Sequence, residues 1–243
     1  MLKAFSITDI GKRRKLNQDY VYTSDQPVGN LPNLFIVADG MGGHNAGDYA
    51  SKVTVETIIE KVSESSETES ACILEEAIQA ANTLVRAKAC EYVDLEGMGT
   101  TVVVATCRGD RLFVANVGDS RLYVVNDSEI RQITRDHSWV EEMVRQGNLG
   151  RAEARNHPGK NIITRAIGAE DKVKADYFIV QLNEGDLVLM CTDGLTNMLE
   201  DEEIRTILEG SRDIEGKAKE LVEAANERGG RDNISVLLVD PFA

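Results

Sequence analysis

Apolar residues recur at steps of three and four positions in three parts of the chain, at 55–62, 74–85 and 214–225. That spacing places them on one face of a helix. The sequence therefore predicts three amphipathic helices, each of which needs an apolar surface to pack against.

Short runs rich in β-branched and aromatic residues predict eight strands, at 5–8, 34–38, 101–107, 112–116, 122–125, 177–181, 187–191 and 234–239. Between residues 99 and 133 the strands follow one another through tight turns at 108–110 and 126–127, a pattern typical of antiparallel hairpins. We therefore expect an antiparallel sheet in the middle of the chain, with helices packed outside it.

The segment 137–161 has a different composition. It holds Gly147, Gly150, Pro158 and Gly159 among short helix-like pieces and has no strand pattern, which predicts a surface excursion over one end of the sheet. We call this segment the flap. The chain has no internal repeat, and the polar stretch 63–70 is short enough to join two helices. The prediction is one domain over residues 1–243.

Two features bear on location. No apolar run exceeds five residues, far fewer than the roughly 18 that span a bilayer. The basic cluster near the start follows the apolar stretch, the reverse of a secretory signal. We expect a cytoplasmic protein that does not enter a membrane.

Its four cysteines (Cys72, Cys90, Cys107 and Cys191) stand singly in apolar stretches, which predicts buried thiols and neither a zinc site nor disulfides.

The chain is acidic, with 41 Asp and Glu against 27 Lys and Arg and a formal net charge of −14. Nucleic-acid binding needs basic surface that neutralises phosphates, so it is disfavoured. Most of the carboxylates are expected to be solvated surface. A few can still be metal ligands.

Four aspartates stand where an apolar strand meets a glycine or a turn: Asp39, Asp119, Asp193 and Asp232. Strand ends lie at the rim of a sheet, where several of them can converge. Grouped carboxylates repel one another unless a cation neutralises them, and Mg²⁺ or Mn²⁺ suits carboxylate and water ligands. For any single Asp-Gly pair, ordinary turn chemistry is the favoured interpretation. The recurrence favours a metal site.

Eight motifs in order carry a family resemblance: Thr8-Asp9-x-Gly11-x-x-Arg14-x-x-Asn17-Gln18-Asp19, Ala38-Asp39-Gly40-Met41-Gly42-Gly43-His44, Gly99-Thr100-Thr101, Val117-Gly118-Asp119-Ser120-Arg121, Asp136-His137, Thr164-Arg165-Ala166-x-Gly168, Thr192-Asp193-Gly194-Leu195 and Gly230-x-Asp232-Asn233. Together they resemble the PP2C-type (PPM) metal-dependent protein phosphatases, most of all the compact bacterial members. The resemblance runs from about residue 6 to residue 239. It implies an α+β fold in which a sandwich of two antiparallel β-sheets is flanked by helices on both sides.

The resemblance also implies a metal ligand set. Asp39 matches the aspartate that bridges two catalytic Mg²⁺ or Mn²⁺ ions, and the Gly40 carbonyl matches a further ligand of one of them. Asp193 and Asp232 match ligands of the other ion, while Asp19 matches an acidic residue that acts largely through bound water. Asp39 and Asp193 are thereby predicted to be catalytic.

Two further residues acquire roles by the same comparison. Arg14 matches the catalytic, phosphate-binding arginine, whose planar fork suits two phosphate oxygens. Without the resemblance, an arginine in the basic run 12–15 would be taken for solvated surface. Asp119 matches the ligand of a third, weaker metal site shared with Asp193.

The implied chemistry is direct hydrolysis. Two ions lower the pKa of a bridging water, which attacks phosphorus in line without a phospho-enzyme. None of the cysteines begins the Cys-x₅-Arg loop of the cysteine phosphatases. Many eukaryotic relatives place a histidine, the proposed general acid, where this chain has Met41, so the acid is open. His44 is one candidate and a metal-bound water is another.

The function predicted from these residues is a protein serine/threonine phosphatase, active as a monomer on phosphorylated proteins that include a cognate Ser/Thr kinase and its substrates. Two alternatives stay open. One is a regulator phosphatase dedicated to an anti-sigma-type partner, and the other is a catalytically silent binding module. The sequence names neither the physiological substrate nor the preferred metal.

Overall fold

A computed structural model describes residues 2–43 and 46–243 and contains two antiparallel β-sheets. The first sheet is made of β1 (Lys3–Asp9), β7 (Arg121–Val125), β8 (Ile130–Gln132), β10 (Leu187–Cys191) and β11 (Ile234–Asp240). Their order across the sheet is β1-β11-β10-β7-β8. The two ends of the chain therefore pair with each other, Lys3 opposite Asp240 and Asp9 opposite Ile234.

The second sheet is made of β2 (Asp19–Ser24), β3 (Leu34–Met41), β5 (Val102–Arg108), β6 (Arg111–Val117) and β9 (Asp176–Gln181) in the order β2-β3-β5-β6-β9. The short β4 (Gly99–Thr100) pairs with the end of β3. All eight predicted strands are present. The strands β2, β4 and β8 were not predicted, since they are short or carry polar residues on both faces.

Helices cover both outer faces of the sandwich. α1 (Ala46–Glu64) and α2 (Ser70–Glu91) lie on the second sheet, and a 3₁₀ turn (Val93–Leu95) follows them. α5 (Asp193–Thr196), α6 (Asp201–Glu209) and α7 (Ile214–Glu227) lie on the first sheet. The predicted α+β sandwich flanked by helices on both sides is confirmed.

The apolar core has three layers. Phe35, Leu112, Met190 and Leu237 belong to the layer between the sheets. A second layer joins α1 and α2 to the second sheet, and a third joins α6 and α7 to the first. Burial of these layers provides the main driving force for forming the sandwich.

The hairpin pattern predicted a single sheet from the strands between residues 99 and 133, but these strands belong to two sheets. β5 and β6 pair as a hairpin, and so do β7 and β8, but β6 and β7 belong to different sheets. The chain crosses from one sheet to the other at Gly118, which has a φ of 106° and whose added Cβ would contact the Thr101 side chain at 2.6 Å. Glycine is required at this crossing.

The flap contains two short helices, α3 (Trp139–Arg145) and α4 (Arg151–Arg155), in agreement with its composition.

The prediction for the cysteines was half wrong. Cys107 and Cys191 are buried, but Cys72 and Cys90 are exposed, because both project from the solvent-facing side of α2. In the described parts of the chain no helix is long and apolar enough to cross a membrane.

Candidate metal-dependent active site

Asp19 and Asp39 face each other across two neighbouring strands. Asp19 is the first residue of β2, and it lies directly opposite Asp39 in the register of β2 and β3. The two carboxylates therefore meet at one end of the second sheet. The polar start of β2, which conceals the strand in the sequence, places this acidic residue at the site.

The Asp19 side chain is 5% exposed, and only one of its two carboxylate oxygens has hydrogen-bond partners. Its Oδ2 accepts hydrogen bonds from Thr192 Oγ1 (2.9 Å) and Ser235 Oγ (2.7 Å), both on the first sheet. Its Oδ1 is buried without a hydrogen-bond partner. A buried, unpaired carboxylate oxygen is costly, so this atom marks a place for a ligand.

The Asp39 backbone is held by the Gly99-Thr100-Thr101 motif. Asp39 N donates to Thr101 Oγ1 (3.0 Å), and its carbonyl accepts from Thr101 N (2.9 Å) and Thr100 Oγ1 (2.8 Å). An added Cβ on the next residue, Gly40, would overlap the Gly47 carbonyl. Only glycine lets α1 approach the end of β3 this closely.

Asp193 and Asp232 lie at the corresponding end of the first sheet. Asp193 follows β10 as the first residue of α5, and its Oδ2 accepts from Asn197 Nδ2 at 2.8 Å. Asp232 precedes β11, and its Oδ1 accepts from Asn233 N at 2.9 Å. Asp119 lies at the crossing between the sheets and is 8% exposed. The predicted aspartates thus collect along one seam of the sandwich.

The pKa values of four aspartates at this seam, Asp19, Asp39, Asp119 and Asp193, are raised. Repulsion between the carboxylates adds to the shift, and burial is the largest cause in each case. It raises the pKa of Asp19 to about 7, with smaller contributions from Asp193 and Asp232. The pKa of Asp119 rises to about 8 and that of Asp193 to about 6, while that of Asp39 rises well above its ordinary value. Such a group needs protons or a cation to be stable.

A hard divalent cation fits this chemistry. The donors are all carboxylate or carbonyl oxygens, and Asp19 Oδ1 is an unpaired buried acceptor. No three His, Cys, Asp or Glu side chains within 2–43 and 46–243 are arranged to hold an ion by themselves. An ion here would therefore use few direct protein ligands and several waters, which is the habit of Mg²⁺ and, with carboxylates, of Mn²⁺.

Arg14 lies at the edge of the carboxylate group. Its Nη2 donates to Asp232 Oδ2 at 2.7 Å, and the two side chains are 48% and 29% exposed. A pair this open to solvent contributes little to stability. The guanidinium is therefore free to exchange Asp232 for another anion that reaches the site.

Met41 ends β3 next to Gly40. The candidate acid His44 lies outside the described residues. His137, from the Asp136-His137 motif, accepts a hydrogen bond from Gly118 N through Nδ1 (3.0 Å), and burial lowers its pKa. Its ring thus braces the crossing that carries Asp119.

A cavity of about 520 Å³ opens between the carboxylates and the flap. Its lining includes Asp119 and Asp193 from the carboxylate group and Val140, Ala154 and Lys160 from the flap. Lys160 Nζ donates to Asn197 Oδ1 at 2.7 Å. A flap residue thus contacts the side chain that hydrogen-bonds to Asp193.

Sequence reasoning missed several residues that orient the carboxylates: Thr192, Ser235, Asn197 and Lys160. Asn197 follows Asp193 by four residues, the spacing that brings two side chains together on a helix, so this pair could have been predicted. Thr192 and Ser235 contact Asp19 from 173 and 216 residues away in sequence. No local pattern indicates such contacts.

The fold and the gathered carboxylates define an α+β sandwich with a candidate site for divalent cations. The sequence profile of the protein phosphatase 2C family matches residues 11–238. The serine/threonine phosphatase stp of Listeria welshimeri is 41% identical over 241 residues, a match covering 96% of this chain and 93% of that protein.

Solved structures agree. The serine/threonine phosphatase Stp1 from Staphylococcus aureus superposes with a TM-score of 0.92 at 36% identity, covering 98% of this chain and 94% of that one. The catalytic domain of the phosphatase PstP, solved with two manganese ions, has a TM-score of 0.87 at 32% identity, covering 98% and 97%. The chain belongs to the protein phosphatase 2C family of metal-dependent phosphoprotein phosphatases.

Proposed function

We propose that this protein hydrolyses phosphoserine and phosphothreonine in other proteins. The observation that carries the proposal is the convergence of Asp19, Asp39, Asp193 and Asp232 at one seam, with Arg14 beside them. Stp of L. welshimeri and Stp1 of S. aureus, which carry serine/threonine phosphatase in their names, support the choice of substrate.

The two-ion core would be held by Asp39, the Gly40 carbonyl, Asp193 and Asp232, with Asp19 acting through water. Asp119 and Asp193 would hold a third, weaker ion. When bound, Mg²⁺ or Mn²⁺ activates water as the nucleophile and neutralises charge on the phosphoryl group. Manganese bound to PstP supports this choice of ions.

The chain's own residues bind and orient the substrate. Arg14 Nη2 already pairs with one carboxylate oxygen of Asp232, and the guanidinium would exchange Asp232 for two phosphoryl oxygens. The Thr100 and Thr101 hydrogen bonds hold Asp39 in place, and Asn197 holds Asp193. Positioned groups of this kind lower the cost of orienting the reactants.

A covalent cysteine route is disfavoured on two grounds. Burial raises the pKa of Cys107 to about 12 and that of Cys191 still further, so neither forms a thiolate near neutral pH. Cys72 and Cys90 lie on α2, on the exposed side of that helix. Hydrolysis without a phospho-enzyme is therefore the proposed route, and His44 is the candidate side chain for protonating the leaving oxygen.

We propose further that the protein acts in the cytoplasm as a monomer and opposes a Ser/Thr kinase, whose phosphorylated form and products are its substrates. Two alternatives differ from this proposal. A dedicated anti-sigma-type regulator phosphatase would act on a single phosphorylated partner, and a silent binding module would show no turnover.

The test is hydrolysis of p-nitrophenyl phosphate and of phosphoserine, phosphothreonine and phosphotyrosine peptides with Mn²⁺, with and without a chelator. Asp39→Ala and Asp193→Ala should each remove nearly all activity, while Asp110→Ala, in the exposed turn between β5 and β6, should not. If either site variant keeps more than about a tenth of wild-type turnover at saturating Mn²⁺, its assigned role is wrong. Absence of turnover on every substrate would favour the binding module.

A further inference from the structure

Four cations stand together beside the candidate site in a protein whose net charge is −14. Lys12, Arg13 and Lys15 flank Arg14 on the loop after β1, and Arg231 precedes Asp232. All four are exposed. We call Lys12, Arg13, Lys15 and Arg231 the basic rim.

The two loops that carry the basic rim are held together by their backbones. Lys12 N and Arg13 N both donate to the Gly230 carbonyl, at 2.8 and 3.2 Å. Asn233 Nδ2 donates to the carbonyls of Ile10 (2.9 Å) and Leu16 (3.0 Å), which lie on either side of the basic run. The cations are therefore presented from a fixed backbone.

The four side chains of the basic rim form no ion pair with any residue in the described part of the chain. The carboxylate of Asp9, which precedes the loop of the basic rim, has other partners, since its Oδ1 accepts from Gly11 N and Asn226 Nδ2. Free cations on an acidic protein create a local positive potential that attracts anions.

Two of the three flap arginines differ from the basic rim because they form ion pairs. Arg151 pairs with Glu141 and Arg155 with Glu200, at 2.5 and 2.7 Å. Each of these two arginines has a carboxylate partner within residues 2–43 and 46–243, whereas the four side chains of the basic rim have none there. Arg13 and Arg231 are the chain neighbours of Arg14 and Asp232, whose side chains form an ion pair at 2.7 Å. The basic rim therefore borders the candidate site.

We propose that the basic rim is a docking surface for acidic residues flanking the phosphorylated serine or threonine, and so makes acidic phosphoprotein segments the preferred substrates. This rests on the proposed function and adds a substrate class to it. An extended peptide advances about 3.3 Å per residue, so side chains within a few positions of a phosphate held by Arg14 would reach the neighbouring Arg13 and Arg231.

The test uses phosphothreonine peptides matched in length, with Asp and Glu, neutral residues, or Lys and Arg around the phosphorylated position. The variant is Lys12→Gln/Arg13→Gln/Arg231→Gln. Its control is Lys3→Gln/Arg111→Gln/Lys217→Gln, which removes the same charge. Lys3 and Arg111 begin β1 and β6 and so lie at the opposite ends of strands that lead to the site, and Lys217 lies beside Lys3.

For the wild type and the control we expect kcat/KM about tenfold higher on acidic than on neutral peptides at low salt. Added salt should reduce this preference, and the rim variant should lose it. Equal rates on acidic and neutral peptides in the wild type would overturn the proposal. So would a rim variant that slows both peptides equally or keeps the preference.

Peptide binding, followed by fluorescence anisotropy in a chelator, separates this proposal from the one it rests on. If no substrate is hydrolysed, p-nitrophenyl phosphate included, the proposed function fails, but tighter binding of acidic peptides that disappears in the rim variant still supports the docking surface. Vesicles containing phosphatidylserine provide the competing outcome. Vesicle binding lost in the rim variant, with peptide selectivity unchanged, would assign the rim to membranes and refute the proposal.

Discussion

Asp119→Asn should stabilise the metal-free protein, and the gain should depend on pH. Burial, then repulsion from Asp193 and Asp136, raises the pKa of Asp119 from 3.8 to about 8. Between these values the folded protein retains a proton that the unfolded chain has lost, so stability falls as pH rises from about 4 to about 8. Asparagine has nearly the same shape and does not ionise, so it avoids that loss.

The upper limit of the gain follows from the two pKa values. A difference of about four pH units, at about 1.4 kcal/mol each, amounts to about 5–6 kcal/mol at pH 8. Water from the adjoining cavity relieves part of the burial, so we expect about 2 kcal/mol, or about 4–8 °C in Tm for a chain of this size. At pH 5 the gain should fall below about 1 kcal/mol, because the pH is then only about one unit above the pKa of the Asp119 carboxyl in the unfolded chain.

Thermal and urea unfolding in a chelator at pH 5 and pH 8 measures both quantities. The matched control is Asp110→Asn, which changes an exposed aspartate in the β5–β6 turn. It should shift Tm by no more than about 1 °C at either pH. A gain of equal size at both pH values would show that charge is not its cause. A variant less stable than the wild type at pH 8 would refute the electrostatic reasoning outright.

The remaining predictions concern substrate contacts. Arg14→Ala should raise KM for p-nitrophenyl phosphate about tenfold or more, and Arg14→Lys should rescue it poorly because lysine lacks the two-pronged donor; an unchanged KM with normal metal binding, measured by calorimetry, would remove Arg14 from the site. Replacing the flap, residues 137–161, with that of a relative should change kcat/KM for phosphopeptides far more than for p-nitrophenyl phosphate, which is too small to contact it. Equal effects on both substrates would make the flap a passive loop.

Local patterns predicted the elements with a strong apolar signal. The stripe on α2 is one example, since its buried positions repeat with the period of the helix. The β-branched run of β5 is another, and it is buried at six consecutive positions because both faces of the strand are covered. The pattern failed for β2, whose sequence Asp-Tyr-Val-Tyr-Thr-Ser is half-buried along most of its length. It also failed at the crossing between β6 and β7, because assignment to one sheet or the other depends on partners distant in sequence.

The candidate site, too, was predicted from local sequence only in part. Asp39 and Asp193 are recognisable because each ends an apolar strand beside a glycine. The convergence of Asp19 with Asp193 and Asp232 depends on the order of strands in two sheets, which the spacing of residues does not specify. The Arg14–Asp232 ion pair, 218 positions apart, is equally invisible to local reasoning.

The seam that carries the site opposes the force that holds the sandwich together. Asp19 and Asp39 belong to one sheet, Asp193 and Asp232 to the ends of the other, and their repulsion acts between the sheets. Hydroxyl donors from Thr192 and Ser235 tie Asp19 across the seam, yet burial still raises the pKa of Asp19 to about 7. The apolar layer between the sheets, with Phe35 and Leu237, must therefore offset this repulsion. Any cation that binds only the folded seam removes this repulsion and stabilises the fold by mass action.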